Sequence, residues 1–262
     1  MDPAETAAFW LNRPFRDVAE AAADLTAQRR TSQQMAGLHE VNAHRACLAK
    51  QFIRGNGVEV GAGDRPWPIP DTATCFYGDV RDKGRLGDYF RNSNVEFDGF
   101  LNAQTFEGVP DDGFDFVLSG HVIEHLPDPI GAIRETMRVL KPGGIFLLAV
   151  PDMRHTHDHA RPVTTLEHFL RDEHDGGAST RLQAYEEHVR YVHPLQYPAF
   201  PEEQVSGEAR KISDAGMDIH FHAWTGPTFR GMLDAVSDCI GFQVVAEVAV
   251  QNENIYALRK VR

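Results

Sequence analysis

The chain has 262 residues, 42% hydrophobic and 24% charged, with 38 acidic against 26 basic side chains and a formal net charge of −12. That length suits one large domain or a domain carrying an insertion, with ample apolar residues for a core. The acidic balance argues against a nucleic-acid partner, which needs a basic face, and no apolar run approaches the roughly 20 residues that span a bilayer.

The opening "MDPAETAAFWLNRPF" is acidic and does not read as a secretory signal. Residues 4–54 are rich in Ala, Leu, Gln, Arg and Glu and predict helix, stopped by Gly55-Asn56-Gly57. Strand and helix signals then alternate. "GVEV" is a first strand, "ATCFYGDV" a second ending at Asp79, "NVEFDGFLNA" holds a third and "FDFVLSGH" is a fourth. "IGAIRETMRVL" has helical periodicity and is closed by "KPGG"; "IFLLAVP" is a fifth strand, apolar throughout, as a buried parallel strand should be. Residues 152–222, rich in His, Pro, Tyr and charge, break the rhythm and predict an inserted lid facing the substrate. "GPTFRGMLDAVSDCIG" is a last helix; "FQVVAEVAVQ" and "IYALRKV", joined by "NEN", require an antiparallel hairpin. The expected architecture is α/β: a seven-stranded, mostly parallel sheet with an antiparallel C-terminal hairpin. Residues 1–54 form a helical segment covering the site, and residues 55–262 the main domain. Cys47, Cys75 and Cys239 are scattered and make no metal pair or disulfide framework, which favours a reducing, cytoplasmic setting.

The turn after the first strand, "GVEVGAGDRPWPIP", decides the ligand class. A pyrophosphate is held at the N-terminus of a helix that starts at the glycine turn. Pro66, Pro68 and Pro70 at alternate positions cannot build that helix. Gly61 and Gly63 still admit a ligand to the backbone, and Glu59 beside them repels phosphate and attracts an amine. A ligand with an ammonium group and a ribose but no phosphate fits, namely S-adenosylmethionine; a dehydrogenase is disfavoured.

With these residues the chain resembles class I S-adenosylmethionine-dependent methyltransferases, whose fold is Rossmann-like. Glu59-Val60-Gly61-Ala62-Gly63-Asp64-Arg65 matches the family's acid-x-Gly-x-Gly-x-Gly except for its third glycine. The resemblance implies that Glu59, Gly61, Ala62 and Gly63 line the cofactor. Arg65 is a candidate for the methionine carboxylate, or else a partner of Asp64. Asp79, sixteen residues after Gly63, would hold the ribose hydroxyls, with Asp82 as the alternative. Asn102-Ala103 stands where the family usually has Asp and a small residue near the adenine. "FDFVLSGHVIEHLPDP", followed by "RVLKPGGIFLLAVP", brings Gly120 and His121 to the cofactor. "VPDMRHTHDHARPVTTLEHF" and "HFHAWT" resemble a bacterial subgroup found beside glycosyltransferases and in sugar and natural-product pathways. The implied partner is a small-molecule acceptor. The acids Asp152, Asp158, Asp172, Glu173, Asp175, Glu186 and Glu187 favour an amino sugar if they face the cleft.

Methyl transfer from a sulfonium needs alignment more than activation, and no metal is required. A hydroxyl acceptor usually needs a base, and histidine suits that task. The candidates are His121, His125, His222 and Asp158. His121 and His125 share a helix face by their four-residue spacing. They read as base or positioner, as structural histidines, or as metal ligands with Glu124. In "RHTHDHAR", Asp158 and Arg154 are candidates for substrate contact or for a lid-anchoring ion pair, and Trp224 reads as packing. Competing readings are methylation of a protein or lipid-linked glycan, and a binding or regulatory module without turnover.

Overall fold

The computed structural model describes residues 36–261. The chain divides into two compact units, Met1–Asn42 and Ala43–Arg262. The helical expectation for residues 1–35 lies outside the described residues. Residues 36–52 form helix α1; in the second unit its Leu48 and Ala49 are buried.

The sheet has seven strands in the order β3-β2-β1-β4-β5-β7-β6. They are β1 (Gly55–Val60), β2 (Ala73–Asp79), β3 (Gly99–Phe100), β4 (Phe114–Gly120), β5 (Leu140–Pro151), β6 (Phe242–Val250) and β7 (Glu253–Lys260). The β1–β2, β2–β3, β1–β4 and β4–β5 pairs are parallel. The β5–β7 and β6–β7 pairs are antiparallel. The apolar runs explain the centre: Val117 and Leu118 of β4 and Leu147 to Val150 of β5 are fully buried. Helix α2 (Lys83–Phe90) follows β2, and helices α3 (Pro129–Val139) and α7 (Gly226–Ile240) pack on the sheet. Ile130, Ile133 and Met137 form a single stripe on α3, and Phe229, Leu233 and Val236 one on α7. Each such side chain contributes about 1.5–3 kcal/mol by leaving water.

Caps fix the helix ends. Asp128 accepts the Gly131 N–H (2.8 Å) at the start of α3, next to a proline in its first turn. Thr225 and Thr228 form a capping box on α7, which Gly241 closes in left-handed geometry (φ 90°). Thr225→Ala is expected to lower the unfolding free energy by about 1 kcal/mol, checked by chemical denaturation with an unchanged m-value.

Between β5 and α7 lie α4 (Leu166–Asp175), α5 (Arg181–Glu187), a π turn (His188–Val192) and α6 (Glu202–Asp214). Helix α4 packs on the main core through Phe169. Helices α5 and α6 build a second core from Ala184, Tyr185, Val189, Val205, Ala209 and Ile219.

Three local expectations change. The third strand is only two residues long, because it sits at the sheet edge. There the Asp98 carboxylate takes the Tyr77 N–H (2.9 Å), and Phe100 is 67% exposed. The stretch "HVIEH" is no regular helix. His121 lies at φ 56° and only Ile123–His125 make a 3-10 turn, so the two histidines do not share a helix face. The hairpin link is the pair Gln251-Asn252, with Gln251 at φ 51°, so Glu253 and Asn254 belong to β7.

Candidate active site

The C-terminal ends of the parallel strands carry the polar groups, as open α/β sheets dictate. After β1, Gly61 (φ 67°) and Gly63 (φ 56°) turn the chain. A Cβ at Gly61 would meet Val122 at 2.4 Å, and one at Gly63 the Phe90 ring at 2.5 Å. No helix follows. The proline-rich segment folds back, and the Trp67 N–H donates to both oxygens of Glu59 (3.2 and 3.0 Å). Glu59 is 1% exposed, so it anchors this loop from beneath. Burial pushes its carboxyl up to about 8, despite the Trp67 N–H and the charge of Arg45. Arg65 is 70% exposed and lies 3.9 Å from Asp64. Ala62 is buried between the two glycines.

Asp79 ends β2, where its carboxylate accepts the Arg81 N–H (2.7 Å). Asp82 is the N-cap of α2, accepting from Arg85 (2.9 Å). The two acids therefore separate: Asp79 stands at the strand end, and Asp82 holds a helix. Asn102 follows β3 and turns its side chain to the Gln104 N–H (2.9 Å), with Ala103 packed against the core.

At the end of β4, a Cβ on Gly120 would meet Arg45 Nη2 at 3.1 Å and Trp67 Nε1 at 3.3 Å. Arg45 lies over the Trp67 ring at 5.0 Å and pairs with Glu253 (Nη2–Oε1 2.6 Å). His121 Nε2 is 3.0 Å from Glu253 Oε1, and its Nδ1 is 3.4 Å from Glu124 Oε1. Burial works against a charged ring, but these two carboxylates outweigh it and push His121 up to about 9. His125 Nδ1 is 2.8 Å from Asp218, which also takes Arg81 (2.8 Å) and the Tyr89 hydroxyl (3.1 Å). Burial opposes protonation of His125 as well, and Asp218 and Glu124 raise it nonetheless.

The inserted segment joins this group. The Phe221 N–H donates to the Glu124 carbonyl (2.7 Å). His220 Nδ1 sits 2.6 Å from Asp158, and Arg161 clamps Asp158 (3.0 Å), Glu187 (3.1 Å) and the carbonyls of His220 (2.8 Å) and Phe221 (3.1 Å). His121, Glu124, His125, Asp158 and His220 thus belong to one connected group. His222 does not: it is 2% exposed, 2.8 Å from Asp172, stacked on Phe169, and accompanied by His168. Burial holds its ring below the usual histidine range despite Asp172. His220 and His222 therefore serve different carboxylates. Arg154 grips Asp152 through two bonds (2.8 and 2.7 Å). Trp224 packs in the core as expected. A separate cavity lined by Phe52, Arg54, Asp115 and Lys141 lies at the opposite ends of these strands, away from all the groups above.

Residues 28–197, more than half of the chain, match the family described as "Methyltransferase domain". The chain belongs to this methyltransferase family. It is a class I domain dependent on S-adenosylmethionine. A Mycolicibacterium smegmatis relative named "Probable S-adenosylmethionine-dependent methyltransferase" is 46% identical over 44 residues, 17% of this chain and 17% of the relative's length. A Haloferax volcanii protein described as a methyltransferase, in complex with the Trm112 methyltransferase activator, is similar with TM-score 0.48 and 14% identity, over 90% of this chain and 95% of that one. A Methanosarcina mazei SAM-dependent methyltransferase gives TM-score 0.45 and 15% identity, over 82% and 97%.

One feature of this strand-end group fits the family's cofactor: the buried Trp67 Nε1 is a donor without a partner, beside Gly120, where a Cβ would crowd it at 3.3 Å. Arg45, Trp67, Glu253 and Asp218 were not among the residues picked from sequence. Trp67 lay inside the segment read only for its prolines, and Glu253 inside the presumed link; Arg45 and Asp218 carry no local signal.

Proposed function

We propose that this methyltransferase moves a methyl group to a hydroxyl of a small acceptor, sugar-containing or a secondary metabolite, with the inserted helices forming its acceptor-facing lid. The supporting observation is how the insertion's acids are used. Asp152 pairs with Arg154, Asp158 and Glu187 with Arg161, Asp172 with two histidines, and Glu173 with Arg134. Asp175 accepts the Ser179 N–H (3.1 Å) and Glu186 the Ser206 hydroxyl. Each of these acids is already held by a partner within the chain, so none stands free to recognise an ammonium group, and nitrogen loses its advantage over oxygen. The test is turnover to S-adenosylhomocysteine on a panel of neutral and amino sugars and phenols. A neutral acceptor should show a KM indifferent to salt between roughly 0.05 and 0.5 M. Turnover confined to cationic acceptors, with a KM rising with salt, would overturn the reading.

Bound S-adenosylmethionine supplies a methyl group already activated on a sulfonium. The chain's own residues position it. Asp79 accepts from the ribose hydroxyls, Gly61 and Gly63 let the ligand reach the backbone, and Glu59 acts through the loop it pins. Trp67 Nε1 and Arg45 provide donors for the methionine carboxylate. His121 keeps its proton to about pH 9, so it orients and balances charge rather than accepting a proton. Asp79→Ala should weaken cofactor binding by about 1–3 kcal/mol, the scale of charge-assisted hydrogen bonds. Calorimetry on the folded variant checks this; an unchanged Kd would reject Asp79.

A further inference from the structure

We propose that Glu124, His125 and His220 form a binding site for a divalent first-row transition ion such as Zn²⁺, placed to hold the acceptor hydroxyl. One ligand atom from each of the three lies within 4.8 Å of the others. Glu124 is 1% exposed, and neither of its carboxylate oxygens has a hydrogen-bond partner. A buried carboxylate left in that state is costly, and His121 at 3.4 Å makes only a long ion pair with it. Both histidines are oriented from behind. His125 Nδ1 lies 2.8 Å from Asp218 and His220 Nδ1 2.6 Å from Asp158. A carboxylate on Nδ1 fixes the tautomer and leaves Nε2 with its lone pair, as the outer partners of ligating histidines do. The two rings stand 4.7 Å apart at 88°. Two imidazoles and one carboxylate suit Zn²⁺, Co²⁺ or Fe²⁺ rather than the all-oxygen preference of Ca²⁺ or Mg²⁺. Such a set leaves coordination positions open.

Two other groups compete for this role and fit less well. In the His168–Asp172–His222 group, the Asp172 Oδ2 atom already lies 3.2 and 2.8 Å from the imidazoles, and Thr180 holds the other oxygen. Among its fully buried polar atoms only His222 Nδ1 lacks a partner, and its carboxylate is fully engaged. In the His157–Asp158–His220 group, Asp158 is occupied by Arg161 and His220. Among these three groups of described residues, Glu124 alone offers a buried carboxylate with both oxygens free of hydrogen bonds, its ion pair with His121 being long at 3.4 Å.

The role of the ion rests on the hydroxyl-acceptor reading above. A bound divalent ion acidifies a coordinated hydroxyl, as it does water. The acceptor oxygen then forms its bond to the methyl carbon as the carbon–sulfur bond breaks. The electron pair stays on sulfur and the hydroxyl proton passes to solvent.

The experiment uses the full chain stripped with a chelator, titrated with ZnCl₂ and CoCl₂. One equivalent should bind, and Co²⁺ should give visible d–d bands shaped by nitrogen ligation. Glu124→Gln and His220→Ala should weaken binding by about 100-fold or more, and Asp218→Asn by 10–100-fold. His168→Gln should leave it unchanged. Circular dichroism and cofactor calorimetry confirm that each variant is folded; if Glu124→Gln is not, Asp218→Asn and the Co²⁺ spectrum decide. No saturable uptake, or equal affinity in Glu124→Gln, overturns the site. Uptake without turnover on any hydroxyl acceptor leaves the site standing and rejects the acceptor reading. Full turnover in chelator without uptake does the reverse.

Discussion

Arg161→Ala is expected to lower the unfolding free energy by about 3–5 kcal/mol, the cost of breaking one side of a buried ion pair. The guanidinium is 1% exposed. It contacts two carboxylates and two carbonyls at once. Removing it leaves Asp158 buried with the His220 ring as its main partner and frees the 220–221 stretch of chain that bonds to Glu124. For a chain of this size the melting temperature should fall by roughly 10 °C. Arg154→Ala is the comparison: that side chain is 60% exposed, so its pair with Asp152 is screened by water and its loss should shift the melting temperature far less. If Arg161→Ala melts within about 2 °C of the parent, the Arg161 joint does not hold the insertion.

The second large effect is on pH. Burial raises the Glu59 carboxyl from 4.5 to about 8, against the Trp67 N–H and Arg45, with Glu96 adding to the rise. Between those values the unfolded chain ionises Glu59 while the folded chain keeps it protonated. The stability this group contributes is therefore complete below about pH 4.5 and is lost as pH rises through about 8. The loss is on the order of 5 kcal/mol. Glu59→Gln cannot ionise, so its stability should not carry that slope. Denaturant midpoints of parent and variant from pH 5 to 9 isolate the effect from the other carboxylates. Parallel curves would mean that Glu59 is already ionised in the folded chain.

The sheet was readable because its central strands are unbroken apolar runs and its helices carry stripes and stops. The order of Glu59, Gly61, Gly63 and Asp79 was readable because each sits at a strand end. The two-residue β3 was not, since an edge strand gains too little burial to enforce a full ladder. Glu253 was misplaced for a related reason: a two-residue turn with Gln251 at positive φ leaves two more residues to the last strand than a "NEN" spacer suggests. That shift brings a carboxylate to Arg45 and His121. The meeting of His125 with His220 has no periodicity behind it. It depends on Arg161 and on the Phe221–Glu124 bond, which join residues far apart in the chain. Trp67 is buried because its N–H belongs to Glu59, a relation that no run of prolines announces.

β5 and β7 are neighbours in the sheet, although the inserted helices, α7 and β6 all lie between them along the chain. Everything between is one long loop hung from a fixed pair of strands. Closing such a loop costs only about 0.6 kcal/mol more for each doubling of its length. Residues 188–217 can therefore grow, shrink or be exchanged while the sheet hardly registers the change, as long as Asp158, Arg161, Glu187, Asp218 and the Phe221 contact remain. If the inserted helices face the acceptor as proposed, evolution can vary what is methylated without disturbing how the methyl donor is held, and the same stretch is the cassette along which the enzyme can be rebuilt for a new acceptor.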